Sequence, residues 1–214
     1  MAYLEVNHIS HSFRDIPVLR DVSFSCEKGE CICVMGPSGT GKTTLLRIIT
    51  GLLVPDEGQI LLEGNDITGL PPHERQMAMI FQEPALFPHT RVKDNIAYGM
   101  HRLGYTQEEI RQKTLAAAEM MKIKDQLEKY PGTLSGGQAR RAGFARAIIR
   151  DPKILLLDEP FSSLDKDLKE ELIKEVRNIQ KERGMTMICV THDEYEAKLL
   201  SDRTILLHPV TAAK

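Results

Sequence analysis

The string Gly36-Pro37-Ser38-Gly39-Thr40-Gly41-Lys42-Thr43 constrains this chain more than any other feature. It follows an alternating apolar run, Cys31 to Met35. It precedes a short apolar helix pattern, Leu45-Leu46-Arg47-Ile48-Ile49, closed by Gly51. A loop of the form G-x-x-x-x-G-K-[ST] between a strand and a helix lets the backbone wrap closely around phosphate oxygens. Successive N–H groups from about Gly39 to Thr43 then point inward, and the helix N-terminus adds its partial positive charge. Lys42 supplies a full charge to the β- and γ-phosphates, and the Thr43 hydroxyl is a ligand for Mg²⁺. A glycine turn before an ordinary helix would explain neither the lysine nor the hydroxyl. The motif predicts a nucleoside triphosphate site. Alone, it does not separate kinases, GTPases and motor ATPases.

The rest of the chain predicts the setting. Tyr3-Leu4-Glu5-Val6, Val22-Ser23-Phe24, Gln59 to Glu63 and Met77 to Phe81 read as strands. From about Lys93 to Tyr130 the periodicity is helical. Thr106 with Glu109 forms a capping box, and Ile110, Thr114, Ala117 and Met121 share one face. Ile154 to Leu157 is then an apolar strand. A helix with Leu168, Leu172, Val176 and Ile179 on one face follows, ending at Gly184, and Met187 to Val190 and Thr204 to Leu207 are the last strands. Strands that are apolar throughout, alternating with helices, imply a parallel sheet covered on both faces.

With 214 residues the chain suits one domain or two closely joined lobes. A formal net charge of -2 argues against a nucleic-acid surface, which usually carries a basic excess. Cys26, Cys31, Cys33 and Cys189 form no C-x-x-C pair and read as small buried hydrophobes in a reducing compartment. Met1 to Ser10 shows no signal peptide, and no stretch approaches the roughly 18 apolar residues of a membrane span. The expectation is a soluble, cytoplasmic chain that reaches a membrane only through a partner.

Ile154 to Leu157 runs into Asp158-Glu159-Pro160. At the carboxyl end of a parallel strand, Asp158 would face the phosphate crevice and hold the Mg²⁺ shell. Glu159 could then reach a water in line with the γ-phosphate and act as general base. Two acidic residues capping a strand end is the plain alternative.

Leu134-Ser135-Gly136-Gly137-Gln138 is rarer still, a chance event on the order of one per million positions at average residue usage. Ser135 and Gln138 read as another capping box, opening a helix to about Arg150. Two glycines in a first helical turn, each costing about 1 kcal/mol of helix stability, make sense if an anion must approach bare N–H groups.

With GPSGTGKTT, LSGGQ and ILLLDEP in this order and spacing, the sequence resembles ATP-binding cassette proteins over essentially its whole length. The resemblance implies an α/β fold of the P-loop NTPase (RecA-like) kind. In it, a mostly parallel sheet carries an N-terminal antiparallel β subdomain and an inserted α-helical subdomain. Residues 1–82 and 151–214 would form the β subdomain and core, and 83–150 the helical signature subdomain.

The same resemblance assigns an adenine-stacking role to Phe13. Val18, Ser38, Gly39, Thr40, Gly41, Lys42, Thr43 and Thr44 would line the nucleotide. Gln82 would link Mg²⁺ and water to an inter-lobe groove, Ser162-Ser163-Leu164-Asp165 would cross a dimer interface, and His192 would contact the γ-phosphate. Taken alone, Phe13 reads first as a core aromatic, Gln82 as a surface amide, Asp165 as a helix N-cap and His192 as a structural imidazole. In the family's mechanism two cassettes pack head to tail, each ATP lying between Lys42 of one chain and Ser135, Gly136, Gly137 and Gln138 of the other. One cradle and one signature per chain fit that need for a second cassette, for which a second copy of this chain is the expectation.

Dimer closure would move an integral membrane permease seated near Gln82 to His89, with a solute-binding protein acting through the permease. The cassette would lie on the inner face of the cell membrane. Gln82 to His89, Thr191-His192-Asp193 and Ser201-Asp202-Arg203 look like the importer branch for polar solutes and ions. The chain ends soon after its last strand, so the C-terminal regulatory β-domain common in that branch is not expected. Ala139-Arg140-Arg141-Ala142-Gly143 departs from the family's common Gln/Arg-rich run.

The rivals fit less well. Chromosome-structuring ATPases place long coiled coils between the two motifs, whereas about 90 residues without sustained heptads separate Gly41 from Leu134. Translation-type cassette proteins carry two cassettes, and no guanine-reading N-K-x-D string is present.

Overall fold

The structure, a computed structural model, describes residues 2–162 and 164–210. It divides into two compact units. The first gathers the chain up to Met79, Lys153–Glu159 and the chain from Gln180 on. The second comprises Ile80–Pro152 and Pro160–Ile179.

The first unit opens on an antiparallel sheet. Strands β1 (Leu4–Phe13) and β2 (Ile16–Cys26) form a hairpin closed by Arg14 and Asp15. Both have positive φ, 49° and 66°, as a two-residue turn matched to strand twist requires. Because neither is glycine, composition does not announce this turn. β4 (Glu57–Leu62) pairs with β1, and β5 (Asn65–Asp66) with β4, giving the order β2-β1-β4-β5.

A five-stranded sheet follows, ordered β6-β7-β8-β3-β9. It contains β3 (Cys31–Met35), β6 (Met77–Ile80), β7 (Ile154–Asp158), β8 (Thr186–Thr191) and β9 (Arg203–Leu206). β7, β8, β3 and β9 pair in parallel. β7 and β8 are buried along their whole length, as strands covered on both faces must be. None of the four cysteines is in a disulfide, and all four are buried. Burial pushes the Cys26 thiol up to about 12, with the neighbouring Glu30 charge adding to the shift, so it is inert at neutral pH.

Helix α1 (Lys42–Thr50) packs its Leu45, Leu46, Ile48 and Ile49 into the core with Ile32, Val34, Leu156, Ile188 and Val190. Its C-terminal end is closed by a residue the sequence did not single out. Arg75, 2% exposed, donates Nη1 to the carbonyls of Ile48 and Ile49 at 2.8 and 2.9 Å, Nε to Leu70 O and Nη2 to Thr68 O. A cation on the last carbonyls of a helix also complements its dipole. Every one of these partners is a backbone carbonyl, which is why no pattern of charged side chains betrays the contact.

The second unit is helical: α2 (Val92–Ala97), α3 (Gln107–Met120), α4 (Gly136–Ile148) and most of α5 (Lys166–Arg183). The Thr106–Glu109 capping box starts α3, and Ile110, Thr114, Ala117 and Met121 are its buried face. Residues 160–179 go with this unit, beyond the 83–150 drawn from the sequence. The physical reason is side-chain packing: Leu168 lies against Gly137, and Arg141 pairs with Glu175 and, at 3.4 Å, with Glu171. Among the described residues no helix is long and apolar enough to cross a membrane.

Candidate functional site

β3 delivers the chain into the glycine loop, and α1 takes it away. Gly41 is the helix N-cap in a left-handed conformation, φ 88°, and no side chain caps the helix. The first-turn N–H groups are thus left for another acceptor. Gly41 is also required by space. A Cβ there would lie 2.7 Å from Leu19 Cδ2 and 2.9 Å from both Val18 Cγ1 and Val18 O. Val18 therefore packs directly on the loop. Ser38 and Gly39 are exposed, Thr44 is half-buried, and Thr40 is buried with its hydroxyl donating to Pro37 O at 2.9 Å. Lys42 is buried and donates to Gly36 O and Pro37 O at 2.8 and 2.9 Å, which curls its ammonium over the loop.

Sheet register brings the acidic pair to the same place. Thr43 Oγ1 donates to Asp158 Oδ1 at 2.9 Å across 115 positions of sequence. Burial raises the Asp158 carboxyl above its ordinary value. The Thr43 hydrogen bond lowers it, and the adjacent Glu159 charge raises it again. A hydroxyl and a desolvated carboxylate side by side are hard oxygen donors of the kind Mg²⁺ takes, with the remaining positions left to phosphate and water. The residues fit that ion.

Glu159 has a left-handed backbone, φ 43°, uncommon for a side chain of its size. Its N–H donates to Val190 O at 3.0 Å. His192, one residue past the end of β8, places Nδ1 3.2 Å from Glu159 Oε1. The chain behind it is fixed. The Thr191 hydroxyl donates to Glu196 Oε2 at 2.7 Å, and the Asp193 carboxylate caps α6 (Glu194–Leu200) through Tyr195 N and Glu196 N. Phe13 stands at the tip of the β1–β2 hairpin, 46% exposed, so it is not a core aromatic.

The second unit holds the other predicted residues. Ser135 caps α4 with Gln138 in a reciprocal box: Gln138 N donates to Ser135 Oγ at 3.3 Å and Ser135 N to Gln138 Oε1 at 3.0 Å. The two glycines differ. A Cβ on Gly136 meets nothing within 4 Å, whereas one on Gly137 would lie 2.5 Å from Leu168 Cδ2. Packing alone explains Gly137; only Gly136 offers open backbone. Asp165 is an N-cap, its Oδ1 accepting from Leu168 N at 3.0 Å. Ser163 lies outside the described residues. Gln82 is exposed, and its own carbonyl accepts from Arg140 Nη1, which also reaches Phe81 O at 3.2 Å.

The family profile described as "ABC transporter" matches residues 19–162. The chain belongs to the ABC transporter family. The spermidine/putrescine import ATP-binding protein PotA of Protochlamydia amoebophila is 44% identical over 201 residues, covering 94% of this chain and 54% of that protein. The molybdate/tungstate import ATP-binding protein WtpC of Pyrococcus horikoshii is 46% identical over 200 residues, covering 94% and 58%. The chain thus spans just over half the length of such curated relatives. Among solved structures, CbiO1 of Clostridium perfringens, described as part of an ABC transporter complex, matches with a TM-score of 0.88 at 28% identity, covering 96% of this chain and 84% of that one. A dimeric ATP-binding cassette in a post-hydrolysis state, bound to ADP and phosphate, matches with a TM-score of 0.87 at 28% identity, covering 99% and 98%.

Side chains of α4 and α2 hold the segment after β6. Arg140 and Arg146 on α4 hold the segment after β6 through the carbonyls of Phe81, Gln82 and Ala85. Asn95, fully buried, accepts from Phe87 N at 2.7 Å, and Phe87 O, Thr90 O, Thr90 Oγ1 and Arg91 O surround its amide nitrogen and share its two N–H groups. The buried asparagine in a helix was the available signal.

Proposed function

We propose that this chain binds ATP with Mg²⁺ and hydrolyses it as the energising subunit of an importer. It would act as a homodimer on the inner face of the cell membrane beneath a separate permease. The observation that carries the reading is the contact of Thr43 with Asp158 at the uncapped start of α1, with Glu159 and His192 paired beside it. Lys42 exchanges its loop carbonyls for phosphate oxygens, and the N–H groups of Gly39 to Thr44 take the rest. Phe13 and Val18 receive the base. Thr43 and Asp158 hold Mg²⁺, which when bound offsets phosphate charge. Glu159 accepts the proton of the attacking water, and His192 keeps that carboxylate aimed. Ser135, Gly136, Gly137 and Gln138, with Asp165, would face the ATP of the second chain, and Gln82 would join the metal and water when the site is complete.

The relatives' names support import. They also differ in solute at similar identity, so the cassette does not carry solute selectivity; a polar solute or ion reaches the permease through its own binding protein. In the test, Glu159→Gln binds ATP with Mg²⁺ at wild-type affinity, while hydrolysis falls by about 10²–10⁴. The same variant elutes as a monomer without nucleotide and as a dimer with ATP. Near-normal turnover would remove Glu159 from the chemistry. A monomer at saturating ATP would rule out homodimer closure.

A further inference from the structure

The hairpin that presents Phe13 contains an unexplained buried histidine. His11 is 7% exposed, and neither ring nitrogen makes a hydrogen bond among the described residues. It lies two positions before Phe13, hence on the same face of β1. The two rings meet edge to face, centroids 4.8 Å apart and planes at 87°. Behind the imidazole is Asp56, whose Oδ1 is 3.3 Å from His11 Nδ1, off the hydrogen-bond direction. Asp56 is itself pinned: its Oδ2 accepts from Ser12 N at 2.7 Å, and its N–H donates to Ser10 O at 2.9 Å. The register of β1 on β2 is irregular on both sides of His11. Such irregularities re-aim side chains.

We propose that His11, backed by Asp56, is a positioning residue that fixes the plane of Phe13 and so sets affinity for the purine base of the nucleotide. The proposal rests on the reading of Phe13 as the platform for adenine. An aromatic ring at a hairpin tip, nearly half exposed, is free to sample rotamers, and a base that stacks on it must first select one. His11 removes that freedom by occupying one side of the ring. β2 carries the hairpin back to the phosphate loop at Val18, so a Phe13 held in one orientation stands at a fixed place relative to the cradle. Arg20, Asp21 and Glu57 line the same hollow as Asp56 and lie outside the ring contact. They make the surroundings polar without replacing the imidazole.

The test is calorimetric binding of ATP and, separately, of inorganic tripolyphosphate, both with Mg²⁺, to the full chain and to His11→Ala, His11→Phe and Phe13→Ala. Edge-to-face pairs of this kind predict that His11→Ala weakens ATP about threefold to tenfold. Tripolyphosphate affinity stays within about twofold, because the cradle is intact. KM for ATP rises by the same factor as Kd while kcat holds, and His11→Phe restores ATP affinity by restoring the ring contact. ATP affinity unchanged in His11→Ala but weakened in Phe13→Ala overturns the role of His11 and leaves the platform standing. Equal losses for ATP and tripolyphosphate mean that His11 is a general structural residue, which also overturns it. ATP affinity unchanged in Phe13→Ala overturns the platform itself, and the proposal with it.

Discussion

Two helices in this molecule begin at glycines, and they begin in opposite ways. α1 has glycine as its N-cap, left-handed and without a side chain to accept its first N–H groups. α4 has serine there, and Ser135 and Gln138 satisfy each other's backbone reciprocally. An uncapped start costs a helix stability unless something else accepts from it. In the proposed reading, α1 exchanges that stability for a phosphate cradle. It is held instead by its buried apolar face and, at its other end, by Arg75, which bonds two of its carbonyls, Ile48 O and Ile49 O. α4 keeps its cap, leaving the exposed backbone of Gly136 beside a helix start that is stable by itself. The lesson is that glycine at a helix start has several meanings, which burial and φ tell apart.

The largest break in that comparison is Gly41→Ala. A left-handed Cβ costs about 1–2 kcal/mol, and overpacking against Val18 and Leu19 about 1–3 kcal/mol more. Urea unfolding should show the sum, together with loss of ATP binding. Stability within about 0.5 kcal/mol of wild type would mean that the loop relaxes and does not need its glycine.

Next is the capped end. Ser135→Ala should cost about 1 kcal/mol in the nucleotide-free protein, the usual worth of such a cap. No change in the unfolding midpoint would show that packing of α4, not its capping box, holds the helix.

Asp158→Asn sharpens the contrast from the other side. Burial makes the ionised Asp158 a cost in the folded state, so its removal should raise the melting temperature at pH 7 by about 2–4 °C, roughly 1 kcal/mol for a chain of this size. The sign is set by the direction of the shift. A carboxyl raised on folding protonates as pH falls through its folded pKa and sheds the cost. The advantage of the asparagine should therefore shrink toward acid, while Mg²⁺-dependent ATP binding is lost at every pH. A lower melting temperature at pH 7 would mean that the Thr43 hydrogen bond outweighs desolvation.

The smallest expected effect is that of Gly136→Ala. Open space around Gly136 and the better helix propensity of alanine predict a gain of no more than about 1 kcal/mol. ATP-driven dimerisation, followed by size exclusion in the Glu159→Gln background, should nevertheless weaken. Unimpaired dimerisation would leave Gly136 with no reason to be glycine.

What could be read from the sequence alone was whatever a few neighbouring residues decide. The glycine loop and the uncapped helix it opens follow from eight consecutive residues. Both capping boxes link positions three apart, and the apolar runs of β3, β7 and β8 announce a sheet buried on both faces. These are local because backbone hydrogen bonding and side-chain periodicity act over one or two turns. Tertiary structure decided the rest. Thr43 meets Asp158, and Glu159 meets His192, only because parallel register aligns both Asp158 and Val34 with Val190. Gly137 is explained by Leu168 and Arg75 by four carbonyls, two of them on a helix it does not belong to, while His11 meets Phe13 beside an aspartate on the approach to another strand. Each of these depends on segments far apart in the chain being packed together, and a short-range pattern holds no record of which segments those will be.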